Sequence, residues 1–162
     1  TPAYKHPGGR NCPCPKHEYI REQINFTKQV NEKGKATKAL SIKGKYWAGN
    51  LRYDNSIIMW GSITNPFFSE HDEHKTVIHV TNGKFSLIDP VENGYVVENG
   101  AKIIADNGDI IVGDVFGRKE MLPDPSGKVG MYITKEHYTQ LSAPKGKIVA
   151  GHAKQVLADF TN

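Results

Sequence analysis

The sequence predicts a mainly β, single-domain protein: an antiparallel sandwich or a jelly-roll-like barrel that contains a β-meander, with little helix. Four Asn-Gly pairs in the middle of the chain separate short apolar runs, and both residue types tolerate the positive φ of a type I′ hairpin turn. Sixteen glycines and nine prolines imply many further turns. The four pairs are Asn82-Gly83, Asn93-Gly94, Asn99-Gly100 and Asn107-Gly108.

The apolar runs beside these pairs have the character of strands. Residues 84–89 alternate, with Phe85 and Leu87 on one face, and residues 56–64 are rich in β-branched and aromatic side chains. The pairs are separated by eleven, six and eight residues. This irregular spacing argues against a solenoid with a fixed repeat and favours hairpins in a sandwich or barrel.

The two ends of the chain differ from its middle. Residues 1–17 hold four prolines and almost no apolar side chains, so we expect an extended N-terminal arm before a single β-rich domain over residues 18–162. Residues 134–141 have the pattern of one or two helical turns with Thr134 as the N-cap. Residues 147–160 form either a helix or a strand.

Length and charge limit the class of protein. A chain of 162 residues is long enough to bury a core, and the absence of an apolar run of about 20 residues predicts no membrane span. Residues 1–60 carry eleven Lys or Arg and four Asp or Glu, whereas residues 61–162 carry ten and thirteen. The basic front is suited to nucleic acid, an anionic surface or another copy of the chain. Lysines that only solubilise loops are the alternative.

Both cysteines, Cys12 and Cys14, lie in the arm. The single residue between them, Pro13, disfavours a disulfide within the pair. In an oxidising compartment we therefore expect each to bridge to a different chain. Zinc binding with His17 and two reduced thiols in a flexible tail are the alternatives.

Ligand-type side chains are densest in residues 70–74, shortly before a strand that carries a further histidine. A structural or adventitious metal site is one interpretation, and a solvated loop after the Asn65-Pro66 break is the other. No other cofactor is expected. The candidate ligands are His71, Asp72, His74 and His79.

A lysine-rich stretch lies next to tryptophans and tyrosines. Aromatic rings beside positive charge can bind single-stranded nucleic acid or a glycan, although the same rings are ordinary packing groups in strands. The candidate contact residues are Lys33, Lys35, Lys38, Lys43, Lys45, Trp47 and Trp60.

No P-loop, dinucleotide fingerprint, serine-hydrolase elbow or zinc-protease motif is present in the sequence. A metal-independent nuclease would need a general base such as His79 or His137 together with a lysine, but no spacing selects these residues. We assign no catalytic residue, and a non-enzyme is the favoured interpretation.

These observations favour a structural, self-assembling subunit, such as a component of a virion shell or its decoration, a fibre or a surface appendage. Its β-domain would pack in a homo-oligomer while its arm contacts neighbouring subunits. An extracellular or virion-surface location follows from that function. A basic nucleic-acid-acting domain and a glycan-binding β-domain are the alternatives.

Overall fold

The computed structural model describes residues 38–65, 76–89 and 93–161. Over these residues the chain is mainly β, as predicted, and contains no helix. The strands are β1 (Leu40–Trp47), β2 (Asn50–Tyr53), β3 (Ile57–Ile63), β4 (Val77–Val80), β5 (Phe85–Leu87), β6 (Val96–Glu98), β7 (Lys102–Ala105), β8 (Ile110–Ile111), β9 (Asp114–Phe116), β10 (Arg118–Pro123), β11 (Tyr132–His137), β12 (Thr139–Ala143), β13 (Ile148–Val149), β14 (Ala153–Lys154) and β15 (Val156–Phe160).

The strands pair in parallel, which corrects the predicted antiparallel sandwich or jelly-roll. Of the twelve pairs formed by the described strands, only β10 with β11 is antiparallel. Strands adjacent in sequence rarely pair; β2 pairs with β4, and β4 with β7. The chain must therefore travel around the molecule before it returns to the next position in the same sheet.

Two parallel sheets enclose the core. The strands β2, β4, β7, β12 and β15 form one sheet, here called face 1. The second sheet curls: its arm β5–β8–β13 forms face 2 and its arm β6–β9–β14 forms face 3. The long strand β3 joins the two arms, and β1 pairs with β3 along both of them.

Each circuit of the chain adds one layer to the three faces. On face 1 the inward residues Leu51, Ile78, Ile103 and Leu141 are stacked in register, and each is at most 2% exposed. On face 2 the corresponding column is Ile57, Phe85, Ile110 and Ile148. Layers in a parallel sheet are about 4.8 Å apart, so these columns form a continuous apolar core along the stack.

The Asn-Gly pairs form corners between faces, which corrects the predicted meander. Asn82-Gly83 and Asn107-Gly108 occupy the same corner, between face 1 and face 2, in successive layers. An ideal Cβ on Gly108 would lie 2.0 Å from the carbonyl oxygen of Gly83, and one on Gly146 would lie 2.3 Å from that of Gly108. Glycine is needed at these positions because successive layers approach each other through backbone atoms.

Side chains at this corner bridge the layers. The Thr81 hydroxyl donates to the Asp54 carboxylate at 2.7 Å, and the amide of Asn107 donates to the Thr81 carbonyl at 2.9 Å. In the later layers Asp109 accepts the backbone N–H of Lys147 at 2.9 Å. These bonds satisfy backbone and side-chain groups at a corner where the strand ladders are interrupted.

The corner after β5 is organised by Asp89. Its carboxylate accepts the backbone N–H groups of Gly94 at 2.8 Å and Tyr95 at 3.1 Å, as well as that of Asn93. Burial of the carboxyl opposes ionisation, but the three N–H donors outweigh it and hold the pKa of Asp89 below its usual value.

The antiparallel hairpin β10–β11 leaves the stack after face 3 and returns before face 1. Residues 134–141, predicted as helical turns, instead belong to β11 and β12, apart from Tyr138 between the two strands. The backbone of Thr139 continues the face 1 ladder, and its side-chain hydroxyl donates to the Phe116 carbonyl at 2.6 Å. Tertiary pairing therefore overrides the local helix signal.

Candidate functional site

A groove lies where face 1 meets the base of the hairpin. Its volume is about 280 Å³, just below the range of roughly 300–1,000 Å³ that small-molecule sites usually occupy. Strands β4, β7, β12 and β15 form one side, and the end of β11 forms the other. The lining residues are Asn65, Thr76, Val77, Gly100, Lys102, Lys135, Glu136, His137, Tyr138, Gln140 and Leu157.

The face 1 wall of the groove follows from strand alternation. Val77, Lys102, Gln140 and Leu157 occupy one register column. Their neighbours in each strand point into the core, so these four side chains point outward. They form a straight row on the outer surface of face 1, with polar Lys102 and Gln140 between apolar Val77 and Leu157.

The floor of the groove is polar and well ordered by hydrogen bonds. The buried Thr76 hydroxyl donates to the Thr64 carbonyl at 2.6 Å and accepts the Gly49 N–H at 3.0 Å. The side-chain oxygen of Asn65 accepts the Thr76 N–H at 3.1 Å. The amide nitrogen of Asn65 donates to no group within the described ranges, so it is a donor that the groove can offer to a ligand.

The hairpin wall holds a network of charged groups. The Tyr138 hydroxyl donates to the Glu136 carboxylate; this hydrogen bond and the adjacent negative charge raise the pKa of Tyr138, with a smaller contribution from burial. Glu136 also lies 4.0 Å from the Lys119 ammonium. Deeper in the wall, the buried His137 ring lies 3.5 Å from Glu120. The carboxylate of Glu136 is therefore already engaged on its own wall.

Two ammonium groups in the groove are not engaged in this way. Among the residues that the structure describes, Lys102 and Lys135 form no ion pair. They lie on opposite walls, one on β7 and the other on β11. The arrangement gives the groove a positive character with an amide, Gln140, in the wall and Leu157 as an apolar patch.

His79, the one predicted metal ligand within the described ranges, lies on the outer side of β4. Its Nε2 is 2.7 Å from a carboxylate oxygen of Asp106. His71, Asp72 and His74 lie outside those ranges. No group of three or more His, Cys, Asp or Glu side chains suited to a metal occurs in the described part of the chain. The metal site therefore stays a prediction. In this structure, His79 already has the carboxylate of Asp106 as its partner.

The predicted basic and aromatic contact residues are separated by the fold. Trp47 is 3% exposed and packs in the core, a role that the sequence also allowed. Trp60 points away from the core on β3, and the Lys43 ammonium lies 5.1 Å from its ring centroid, within cation–π range.

The other lysines of that set add little to the site. Lys38 is exposed before β1, and the side chain of Lys45 is not described. Lys33 and Lys35 lie outside the described residues. Contact of this surface with nucleic acid or a glycan stays a prediction.

The arm of residues 1–17, with Cys12 and Cys14, also lies outside the described residues. The intermolecular disulfide and the division into an arm and a domain therefore stay predictions. No disulfide is formed by the part of the chain that the structure describes, since neither cysteine belongs to it.

A second exposed feature is the end of the stack at β15. Ala158 and Phe160 follow Leu141 and Ala143 in the inward columns of face 1, yet Phe160 is 47% exposed. No described strand pairs with the outer edge of β15. This surface, here called the open end, combines a free strand edge with exposed core positions, and the sequence interpretation missed it.

Over the described residues, the layers and corners form a parallel β-solenoid with one inserted hairpin. Comparison with protein-family models, with curated proteins and with solved structures finds no match to this chain. A search of the described residues for a helix long and apolar enough to cross a membrane also finds none.

Proposed function

We propose that the protein is a structural subunit that assembles with copies of itself, as part of a shell, a fibre or a surface appendage outside the cell or on a virion. The open end is the observation that carries this proposal. Stacked repeats need a polar terminal layer to stay apart in solution, and the β15 layer, the last one that the structure describes, instead leaves the inward residue Phe160 47% exposed.

The physical drive for assembly has two parts. Covering apolar area contributes about 25 cal/mol per Å², and a free strand edge offers backbone N–H and C=O groups to another strand. Both are concentrated on the same layer. A rigid stack of parallel layers suits a subunit that bears load or sets spacing, and the arm cysteines would add covalent links between neighbours.

We expect the full chain to be oligomeric in light scattering coupled to size-exclusion chromatography, and Phe160→Asp to shift it to the monomer. The new carboxylate would have to be desolvated at the contact. Val129→Asp is the matched control, because Val129 is a fully exposed apolar residue in the hairpin loop and its replacement should leave the mass unchanged.

Reductant separates the two sources of assembly. Oligomers held by the open end persist in reductant and disappear in Phe160→Asp. Oligomers held by Cys12 and Cys14 appear as ladders on non-reducing gels and collapse when reduced. A wild-type chain that is monomeric with and without reductant, at all concentrations tested, contradicts the proposed function.

The groove supports a second candidate function: binding of an acidic glycan. Lys102 and Lys135 supply two cations without ion-pair partners in the described chain, Gln140 and Asn65 supply amide groups for hydroxyls, and Leu157 supplies an apolar patch. Among the described residues that line the groove, Tyr138 alone carries a tyrosine, phenylalanine or tryptophan ring. A site for single-stranded nucleic acid usually offers a series of stacking rings, so a glycan is favoured.

Titration of a uronic-acid oligosaccharide in a calorimeter tests this candidate. We expect Lys102→Gln and Lys135→Gln each to weaken binding about tenfold, the value of one charge-assisted hydrogen bond. Lys145→Gln, an exposed lysine at another corner, is the matched control and should have no effect. Equal losses in all three variants, or tighter binding of a single-stranded oligonucleotide at the same lysines, would contradict it.

A further inference from the structure

The floor of the groove contains a small space where a side chain is missing. Gly100 lines the groove just before β7. An ideal Cβ on Gly100 would lie 3.3 Å from the Cβ of His137 and 3.6 Å from the side-chain nitrogen of Asn65. Glycine, which the φ of +88° at this position also requires, therefore keeps a space open between an amide nitrogen and the hairpin wall.

The amide of Asn65 has a fixed orientation at this space. Its Oδ1 accepts the Thr76 N–H at 3.1 Å, and the Thr76 hydroxyl is held by the Thr64 carbonyl and the Gly49 N–H. Turning the amide over would place its NH₂ group against the Thr76 N–H, which is also a donor. The nitrogen Nδ2 therefore stays next to Gly100, in a residue that is only 1% exposed.

This nitrogen is a buried donor that the protein leaves available. Within the part of the chain that the structure describes, Asn65 Nδ2 donates to no protein group. A buried donor without an acceptor is costly, because it has given up its hydrogen bonds with water. An oxygen atom of a ligand placed in the space at Gly100 would pair with it.

The ammonium groups of the groove are also donors. Lys102 and Lys135 form no ion pair among the described residues, and an ammonium group cannot accept a hydrogen bond. Among the described lining residues Glu136 alone carries a carboxylate. That carboxylate accepts the Tyr138 hydroxyl and lies 4.0 Å from the Lys119 ammonium. A ligand group that accepts hydrogen bonds and carries negative charge suits these donors best.

We propose that this space is the acid-group subsite of the groove, where the carboxylate of a uronic-acid unit accepts a hydrogen bond from Asn65 Nδ2 and is neutralised by Lys102 and Lys135. This inference rests on the acidic-glycan candidate, and it assigns Asn65 to the acid group rather than to a hydroxyl. The lysines attract any anion, whereas a fixed donor requires an acceptor at one position. Asn65 is therefore the specificity-determining residue.

The first test uses the wild-type chain. In a calorimeter we expect it to bind a uronic-acid trisaccharide at least about tenfold more tightly than the methyl ester of the same trisaccharide. The ester keeps the carbonyl oxygen but loses the charge. Equal affinity for the acid and the ester, or no binding of either, would overturn the subsite together with the acidic-glycan candidate.

Asn65→Asp tests the position of the acid group. The new carboxylate can still accept the Thr76 N–H, but it replaces a donor by a like charge beside the ligand. We expect binding of the acid to weaken about thirtyfold and binding of the ester to change by less than about threefold.

Asn55→Asp is the matched control for this variant. The Oδ1 of Asn55 accepts the Ser56 N–H at 2.7 Å, so the same change of charge again keeps a backbone hydrogen bond. Asn55 lies between β2 and β3, at the other end of face 1 from the groove. We expect both affinities to stay within about twofold of wild type.

The side-chain N–H resonances of Asn65 provide a second measurement that needs no variant. In nuclear magnetic resonance spectra of the wild-type chain they should shift on titration with the acid and stay in place with the ester. Resonances that do not respond to the acid, or an Asn65→Asp chain that is folded and loses equal affinity for both ligands, would overturn the subsite. The acidic-glycan candidate would still stand if Lys102→Gln and Lys135→Gln weakened binding of the acid.

Discussion

Replacing Gly108 by alanine is expected to lower the free energy of unfolding by at least about 3 kcal/mol, at or beyond the upper end of ordinary overpacking. The added Cβ would lie 2.0 Å from the carbonyl oxygen and 2.6 Å from the carbonyl carbon of Gly83. Both are backbone atoms, so no flexible side chain can move aside. The layers at this corner would have to separate.

Separation would also break bonds between layers. The N–H of Phe85 donates to the Asp109 carbonyl at 2.9 Å. This bond lies immediately beside the stacked glycines of this corner, here called the glycine column: Gly83, Gly108 and Gly146. The next layer is equally close, since a Cβ on Gly146 would meet the Gly108 carbonyl oxygen at 2.3 Å. A shift at Gly108 in either direction therefore meets backbone, and the strain cannot be relieved locally.

Gly44→Ala is the matched control for this prediction. Gly44 lies in β1, a Cβ there would be 3.8 Å from its nearest neighbour, the Tyr46 carbonyl oxygen, and its backbone is outside the left-handed region. We expect a change within about 1 kcal/mol, in the stabilising direction, because alanine restricts the unfolded chain. Urea denaturation monitored by circular dichroism measures both variants. A Gly108→Ala protein as stable as Gly44→Ala would show that the layers are not in backbone contact.

The same glycine column explains why the sequence predicted strands but not their arrangement. Asn-Gly is a turn signal in both a hairpin and a solenoid corner, since either uses positive φ. Gly83 has φ of +118°, as such a signal requires. Gly108 has no such φ, so its reason for being glycine is the adjacent layer. Reasoning from turn conformation alone cannot show that an adjacent layer excludes a side chain at Gly108.

The repeat was hidden by unequal insertions. Ile57, Phe85, Ile110 and Ile148 stack in one column, yet they are 28, 25 and 38 residues apart in the sequence. The long interval contains the hairpin β10–β11. Comparison of residues 81–85 with residues 106–110 would have shown the shared corner, Asn-Gly followed two residues later by an inward apolar residue.

The candidate sites could be predicted only in part. Strand alternation correctly placed Phe85 and Leu87 on the inner side of β5. The groove joins Lys102 to Lys135, and this proximity depends on where the hairpin re-enters the stack. The open end depends on β15 being the last layer that the structure describes. Both features depend on how the chain winds around the solenoid, so they could not be inferred from the sequence before that path was known.

Phe85→Ala is expected to lower the free energy of unfolding by about 3–5 kcal/mol, the usual loss for a buried phenylalanine. Phe85 is fully buried and lies between Ile57 and Ile110 in the face 2 column. The backbone contacts at the neighbouring corner keep the layers at a fixed distance. The cavity left by the ring can therefore close only partly, which places the loss toward the upper end of this range. Thermal and urea denaturation measure it.

Phe160→Ala is the matched control, since it removes the same ring from an inward column at the open end, where it is 47% exposed. In dilute protein we expect a loss of about 1 kcal/mol, because much of the ring is already hydrated. If the open end is covered in an assembly, that loss grows with protein concentration through linkage, while the Phe85→Ala loss does not. Equal losses for the two variants in dilute, monomeric protein would contradict the positions assigned to both rings. A Phe160→Ala loss that is independent of concentration would instead argue that no second copy covers this layer.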